Sequence, residues 1–140
     1  MLGNIIGIEG NTVYLRLNAE LTDIKNIINL YVNMKDDDIQ TVGEIIEINE
    51  QVATINLIGE IVDKRFVFGV MRKPSFSSEV SLISKENIGK IIGIPNYQDH
   101  KDLYFGTSPI YPEIQVGVNI NNFFSNHFAI FGSTGSGKSC

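Results

Sequence analysis

The chain has one cysteine, Cys140, which excludes an internal disulfide framework and agrees with a reducing compartment. No apolar run approaches the roughly 20 residues that a membrane-crossing helix requires. Met1-Leu2-Gly3-Asn4 lacks the basic start and apolar core of a secretory leader, so a cytoplasmic chain without membrane contact is expected. Positive charge is scarce as well. Eleven Lys and Arg stand against sixteen Asp and Glu, a net charge of −5, so the surface as a whole is not a nucleic-acid footprint, which needs clustered cations. Any nucleic-acid contact is local or lies outside these 140 residues. Tryptophan is absent, and His100 sits in a charged loop with no second His or Cys near it, which argues against a metal site there.

The apolar residues, 43% of the chain, come in short alternating pieces. Ile6 and Ile8 lead into Glu9-Gly10-Asn11, and Val13, Leu15 and Leu17 follow at period two, which predicts a hairpin. Val42 to Ile48, with Ile46 and Ile48, and Val52 to Ile58, with Ile55 and Leu57, predict a second hairpin around Asn49-Glu50-Gln51. Ile27 to Met34, Arg65 to Met71 and Glu79 to Ile83 read as further strands, with Lys73-Pro74-Ser75 as a breaker. Lys35-Asp36-Asp37-Asp38 reads as a solvated turn, because it lacks the alternating ligands, glycine and distant glutamate of a calcium loop. Glycines at 43, 59, 69, 89 and 93 fit the bulges and bends of a closing sheet. Together these predict a mainly β chain: a small antiparallel β-barrel over residues 1–95, then a linker or loop over 96–112. Residues 113–140 are expected to be the first elements of an α/β P-loop (RecA-like) domain, with a strand at Ile114 to Val118, a helical turn at Asn121 to Ser125 and a buried strand at His127 to Phe131.

That last strand runs into Gly132-Ser133-Thr134-Gly135-Ser136-Gly137-Lys138-Ser139, a G-x-x-x-x-G-K-[ST] loop. Glycines at 132, 135 and 137 let successive backbone N–H groups converge on phosphate oxygens without a side chain in the way. Lys138 is the catalytic candidate, a point charge for the β- and γ-phosphates of ATP, and the Ser139 hydroxyl is the Mg2+ ligand candidate. Ser133, Thr134 and Ser136 complete the nucleotide-binding candidates. The helix expected beneath the phosphates has only Lys138, Ser139 and Cys140 to draw on, so the chain is expected to be cut off after this loop and to bind nucleotide poorly by itself.

A barrel followed by His127-Phe128-Ala129-Ile130-Phe131 and the Thr134 to Ser139 loop resembles the start of the HerA-type ATPases of the HerA–FtsK superfamily, whose N-terminal HAS-barrel resembles the barrel of rotary ATP synthase subunits. The resemblance implies a hexameric, ATP-driven DNA translocase or helicase with double-stranded DNA passing through the ring. It also implies a barrel that assembles the ring and docks a partner nuclease or effector, in DNA repair or phage defence. The family's second magnesium carboxylate and arginine finger have no counterpart in residues 1–140.

Two other readings stand beside it. One is a non-enzymatic barrel for oligomerisation or protein docking; the other is an oligonucleotide-binding barrel, whose affinity would fall steeply with salt. His127 and the Phe123-Phe124 pair read as packing residues, since the neighbours of the pair are Asn and Ser rather than cations. Arg65, Arg72 and Lys73 around Phe66 and Phe68 are the only basic–aromatic interleaving in the barrel segment.

Overall fold

The computed structural model of the chain describes residues 1–18, 27–37, 39–92, 101–125, 127, 129 and 131–136. They divide into two compact units, Met1–Ile92 and Gly93–Cys140. Among the described residues no helix is long and apolar enough to cross a membrane.

The first unit is an antiparallel sheet of seven strands: β1 (Gly3–Glu9), β2 (Thr12–Leu17), β3 (Tyr31–Asp36), β4 (Ile39–Asn49), β5 (Val52–Val62), β6 (Arg65–Phe68) and β7 (Glu79–Leu82). Hydrogen bonding orders them β1-β2-β5-β4-β3-β7, with β6 attached to β5. The sheet curls until its ends meet, and the Leu2 N–H donates to the Val80 carbonyl at 2.7 Å, giving a barrel-like unit. Period-two patterning explains the interior. Val13 and Leu15 of β2, Val32 and Met34 of β3, Ala53 and Ile55 of β5 and Val80 of β7 point to one face and are fully buried.

Two of the sheet's three register shifts move that pattern by one residue at an isoleucine. Register slips between Ile5 and Gly7 in β1 and between Ile45 and Glu47 in β4. Ile5 and Ile45 therefore enter the core, while Ile6 and Ile46, which strict alternation puts inward, are 42% and 48% exposed. Gly43 sits where a Cβ would collide with the Ile55 side chain, so the strand can cross the core there only without one.

Other expectations need correction as well. The strand predicted from Ile27 begins at Tyr31, because Asn29 takes a positive φ of 69° and turns the chain first. The strand predicted to reach Met71 stops at Phe68, because Gly69 has φ of 89°. Gly89 lies inside a helix, α1 (Lys85–Ile92), rather than at a bend of the sheet. Ser84 caps that helix by accepting the Asn87 N–H at 3.3 Å. Lys90 donates to Glu86 at 2.9 Å, one turn earlier, and this bond with the lysine's charge holds the Glu86 carboxyl below the ordinary carboxylate range. Gly93 and the rest of 93–100 lie outside the described residues, as does Asp38 of the acidic turn, whose Asp37 is exposed with φ of 44°.

The second unit contains the hairpin β8 (Asp102–Thr107) and β9 (Gln115–Asn119), followed by α2 (Ile120–Phe124). The stretch expected to be a linker thus carries a strand.

Leu15→Ala is expected to cost about 2–5 kcal/mol, since the side chain is wholly buried and a rigid sheet collapses poorly around the void. Ile6→Ala, on the outer side of its bulge, should stay within about 0.5 kcal/mol in the same urea titration. Equal losses would mean that the bulge is absent in solution.

A pH effect arises in β3. Burial, and then the charge of Glu44, push the Tyr31 hydroxyl above its ordinary pKa of 10.0. The fold favours the neutral phenol, so this contribution is complete below about pH 10 and is lost as pH rises through the folded value. Tyr31→Phe should flatten the alkaline loss of stability; parallel pH profiles for the two proteins would contradict it.

Candidate functional site

The phosphate-loop candidate begins with a turn. The Ser136 N–H donates to the Ser133 carbonyl at 3.2 Å, and Gly135 has φ of 83° at the third position of that turn. A positive φ there is what a type II turn demands, and glycine meets the demand at no steric cost. A Cβ at Gly135 would find nothing within 4 Å, so the constraint is conformational and not a matter of space. Gly132 to Ser136 are exposed. The remaining candidates, Gly137, Lys138 and Ser139, lie outside the described residues together with Cys140.

The segment ahead of the loop departs from the expected buried strand. His127, Ala129 and Phe131 are exposed, Phe131 to 91%, and none of the three is in a strand. A central P-loop strand is buried on both faces by neighbouring parallel strands and their helices. Among the described residues no strand pairs with this segment. His127 is accordingly a surface residue here, not a packed one.

Upstream, β8, β9 and α2 form a small platform. Asn119 links its parts: the side-chain oxygen caps α2 by accepting the Asn122 N–H at 3.2 Å, and the side-chain amide donates to Asp102 of β8 at 3.1 Å. The loop between the strands is held by Ser108, whose buried hydroxyl accepts the Tyr111 N–H at 3.1 Å, while Tyr111 and Ile114 fill its interior. Phe105, Phe123 and Phe124 then form a chain of ring contacts at 6.1 and 5.1 Å. Phe105 and Phe124 remain 65% and 53% exposed, so packing accounts for only part of their surface.

A second feature belongs to the first unit. Lys64, Arg65, Arg72 and Lys73 are all exposed around the Phe66 and Phe68 rings, which meet edge to face at 4.9 Å. The glutamate that organises this region carried no motif in the sequence. Glu60 is only 5% exposed, and its Oε1 accepts the N–H groups of Met71 and Arg72, each at 2.7 Å. A buried carboxylate thereby fixes the loop that carries two of the four cations.

Among the described residues no group of three or more His, Cys, Asp and Glu is placed to hold a metal ion.

Glu60→Ala should cost roughly 2–3 kcal/mol, because two N–H groups lose a charged acceptor, whereas Glu60→Gln retains one acceptor oxygen and should lose about half as much. Amide exchange at Met71 and Arg72 reads the same bonds directly, and unchanged protection in Glu60→Ala would show that they do not persist in solution.

Comparison with known families places the platform and the loop together. Residues 103–140 match the family model described as the central domain of the helicase HerA, from β8 through the end of the glycine-rich loop. Residues 1–92 lie outside the matched stretch. No curated protein matches the chain. The likeness supports a HerA/FtsK-type ATPase family for the second unit and, with it, general use of a nucleotide and Mg2+ by proteins of this kind.

Proposed function

We propose that this chain is the N-terminal part of an ATP-driven DNA translocase of HerA type, in which residues 1–92 serve assembly and docking and the Gly132 to Ser139 loop holds the phosphates of ATP. The observation that carries this reading is the family match over residues 103–140, which ends on a complete glycine–lysine–serine loop. The loop residues fit the group. Gly135 is already in the left-handed conformation, and Thr134 and Gly135 at the exposed tip of the turn present their backbone toward an incoming phosphate. Lys138 supplies a positive charge toward the β- and γ-phosphates, and the Ser139 hydroxyl supplies an oxygen to Mg2+. The bound Mg2+ nucleotide provides the hydrolysable bond, and the chain's own part is to position it and to offset its charge.

The exposed aromatics fit the same reading. Phe105, Phe124 and Phe131 are large apolar side chains left open to solvent, as expected of surfaces that later elements of an ATPase core would cover. A hexameric ring, double-stranded DNA in its channel and a nuclease or effector on the barrel face extend this proposal. The acidic balance of the chain agrees with leaving DNA contacts to other segments.

Lys138→Ala in the full-length protein should reduce ATP turnover to background while the circular dichroism of the β unit stays unchanged. Turnover equal to that of the parent would remove the loop from the mechanism.

A further inference from the structure

We infer that the outer edge of β6 is a docking strand for an extended, acidic segment of a partner protein. The inference rests on the docking role proposed above for residues 1–92, and it adds the strand that performs it and the chemistry of its occupant.

Three observations carry it. The first is an open edge. Among the described residues β6 pairs with β5 alone. The Asp63-Lys64 turn makes Val62 and Arg65 the closing pair of the hairpin, and the Gly69 N–H bonds to the Ile58 carbonyl at 3.0 Å in the same register. Hydrogen-bonded pairs alternate along an antiparallel ladder, so Arg65, Val67 and Gly69 face β5 while Phe66 and Phe68 turn their N–H and C=O groups outward.

The second is apolar exposure around that edge. Val67 is 51% exposed, Phe68 78%, Met71 91% and Phe76 64%. Gly59 helps to set this surface: a Cβ there would strike the Phe66 ring and the Val67 carbonyl, so the glycine lets the ring lie against β5 with Phe68 packed on its edge. Edge strands usually carry protection, and here positive charge predominates: Arg65, Arg72 and Lys73 flank the edge, while the carboxylates beside it, Asp63 in the turn and Glu86 of α1, lie at its Lys64 end.

The third is that sign. Four of the chain's eleven cations lie in residues 64–73, a stretch without a single Asp or Glu. Glu60, the nearest carboxylate in β5, is buried and already accepts two backbone N–H groups. An incoming strand that alternates apolar residues with carboxylates would add main-chain bonds at Phe66 and Phe68, bury Val67 and Met71, and meet Arg65, Arg72 and Lys73 with opposite charge. Phe, Met and Arg are the residue types that protein interfaces favour. A nucleic acid would use the cations and rings but not the open backbone edge, and the net charge of −5 opposes its approach. A second copy pairing strand β6 with strand β6 would bring together two stretches of four cations each, with no carboxylate in residues 64–73 to offset them.

The test is a titration of the 140-residue chain with a short peptide alternating valine and glutamate, read by amide NMR. Binding should shift the Phe66 and Phe68 amides, and both Phe68→Asp and the Arg65→Glu, Arg72→Glu pair should weaken it roughly tenfold or more. Failure of the valine–glutamate peptide to bind overturns the inference, and so does equal binding of a valine–lysine peptide. Displacement of the peptide by oligo-dT would assign the face to nucleic acid, and a Phe68→Asp variant that sediments as a smaller species would assign it to self-association; either overturns it. Undiminished binding by the variants also overturns it, moving docking to another strand and leaving the broader docking role standing. ATP turnover plays no part in the readout, so the outcome is independent of the phosphate loop.

Discussion

The first unit depends on one requirement: a sheet that buries a continuous apolar face must also satisfy the backbone groups at its two ends. The Leu2 N–H donating to the Val80 carbonyl brings the first and last strands of the order β1-β2-β5-β4-β3-β7 together and encloses the interior. Val13, Leu15, Val32, Met34, Ile45, Ile55 and Val80 lose all contact with water as a result. An open sheet of the same strands would leave one side of several of these residues wet. The bulges in β1 and β4 belong to the same solution, because each bends its strand and so lets a flat ladder become a curled one.

Enclosure also explains where polar chemistry is tolerated. Glu60 is buried at the far end of β5, yet its carboxylate is engaged by two main-chain donors, so the loop after β6 is fixed at the cost of one internal charge. The second unit is organised differently. Among the described residues it is held by short polar clamps, Asn119 to Asp102 and Ser108 to Tyr111, with Tyr111 and Ile114 as the buried apolar filling. A unit built this way stabilises local geometry while Phe105 and Phe124 stay exposed.

Much of the strand pattern was legible in the sequence, because alternation at Val13, Leu15 and Leu17 or at Val52 to Leu57 has no other economical reading. The facing of Ile6 and Ile46 was not legible, since one extra residue at a bulge leaves composition unchanged while it reverses the face of every later residue in the strand. Helix α1 was missed because Ile88 and Gly89 are its only buried residues and the Ser84 cap is a weak signal amid neighbouring strands. The phosphate loop is legible as a motif in the sequence, and Gly135 takes a positive φ in its turn. The strand ahead of it was read from apolar composition at His127 to Phe131, but burial of such a run requires partner strands that composition cannot supply. Glu60 was invisible because its bonds go to backbone far along the chain.

The connectivity of the closed sheet carries a kinetic consequence. The β4–β5 hairpin joins two eleven-residue strands through a short turn, so its contacts are local and entropically cheap to form. The seam between Leu2 and Val80 joins residues nearly eighty positions apart, and it depends on β3 and β7 first aligning with that hairpin. Collapse therefore nucleates at the centre of the sheet and seals last at the seam, and until the seam forms the edges of β1 and β7 are open to the wrong strand. During synthesis the N-terminal strands emerge first and must wait for Val80, so the interval of greatest aggregation risk is set by the order of the chain rather than by the stability of the finished fold.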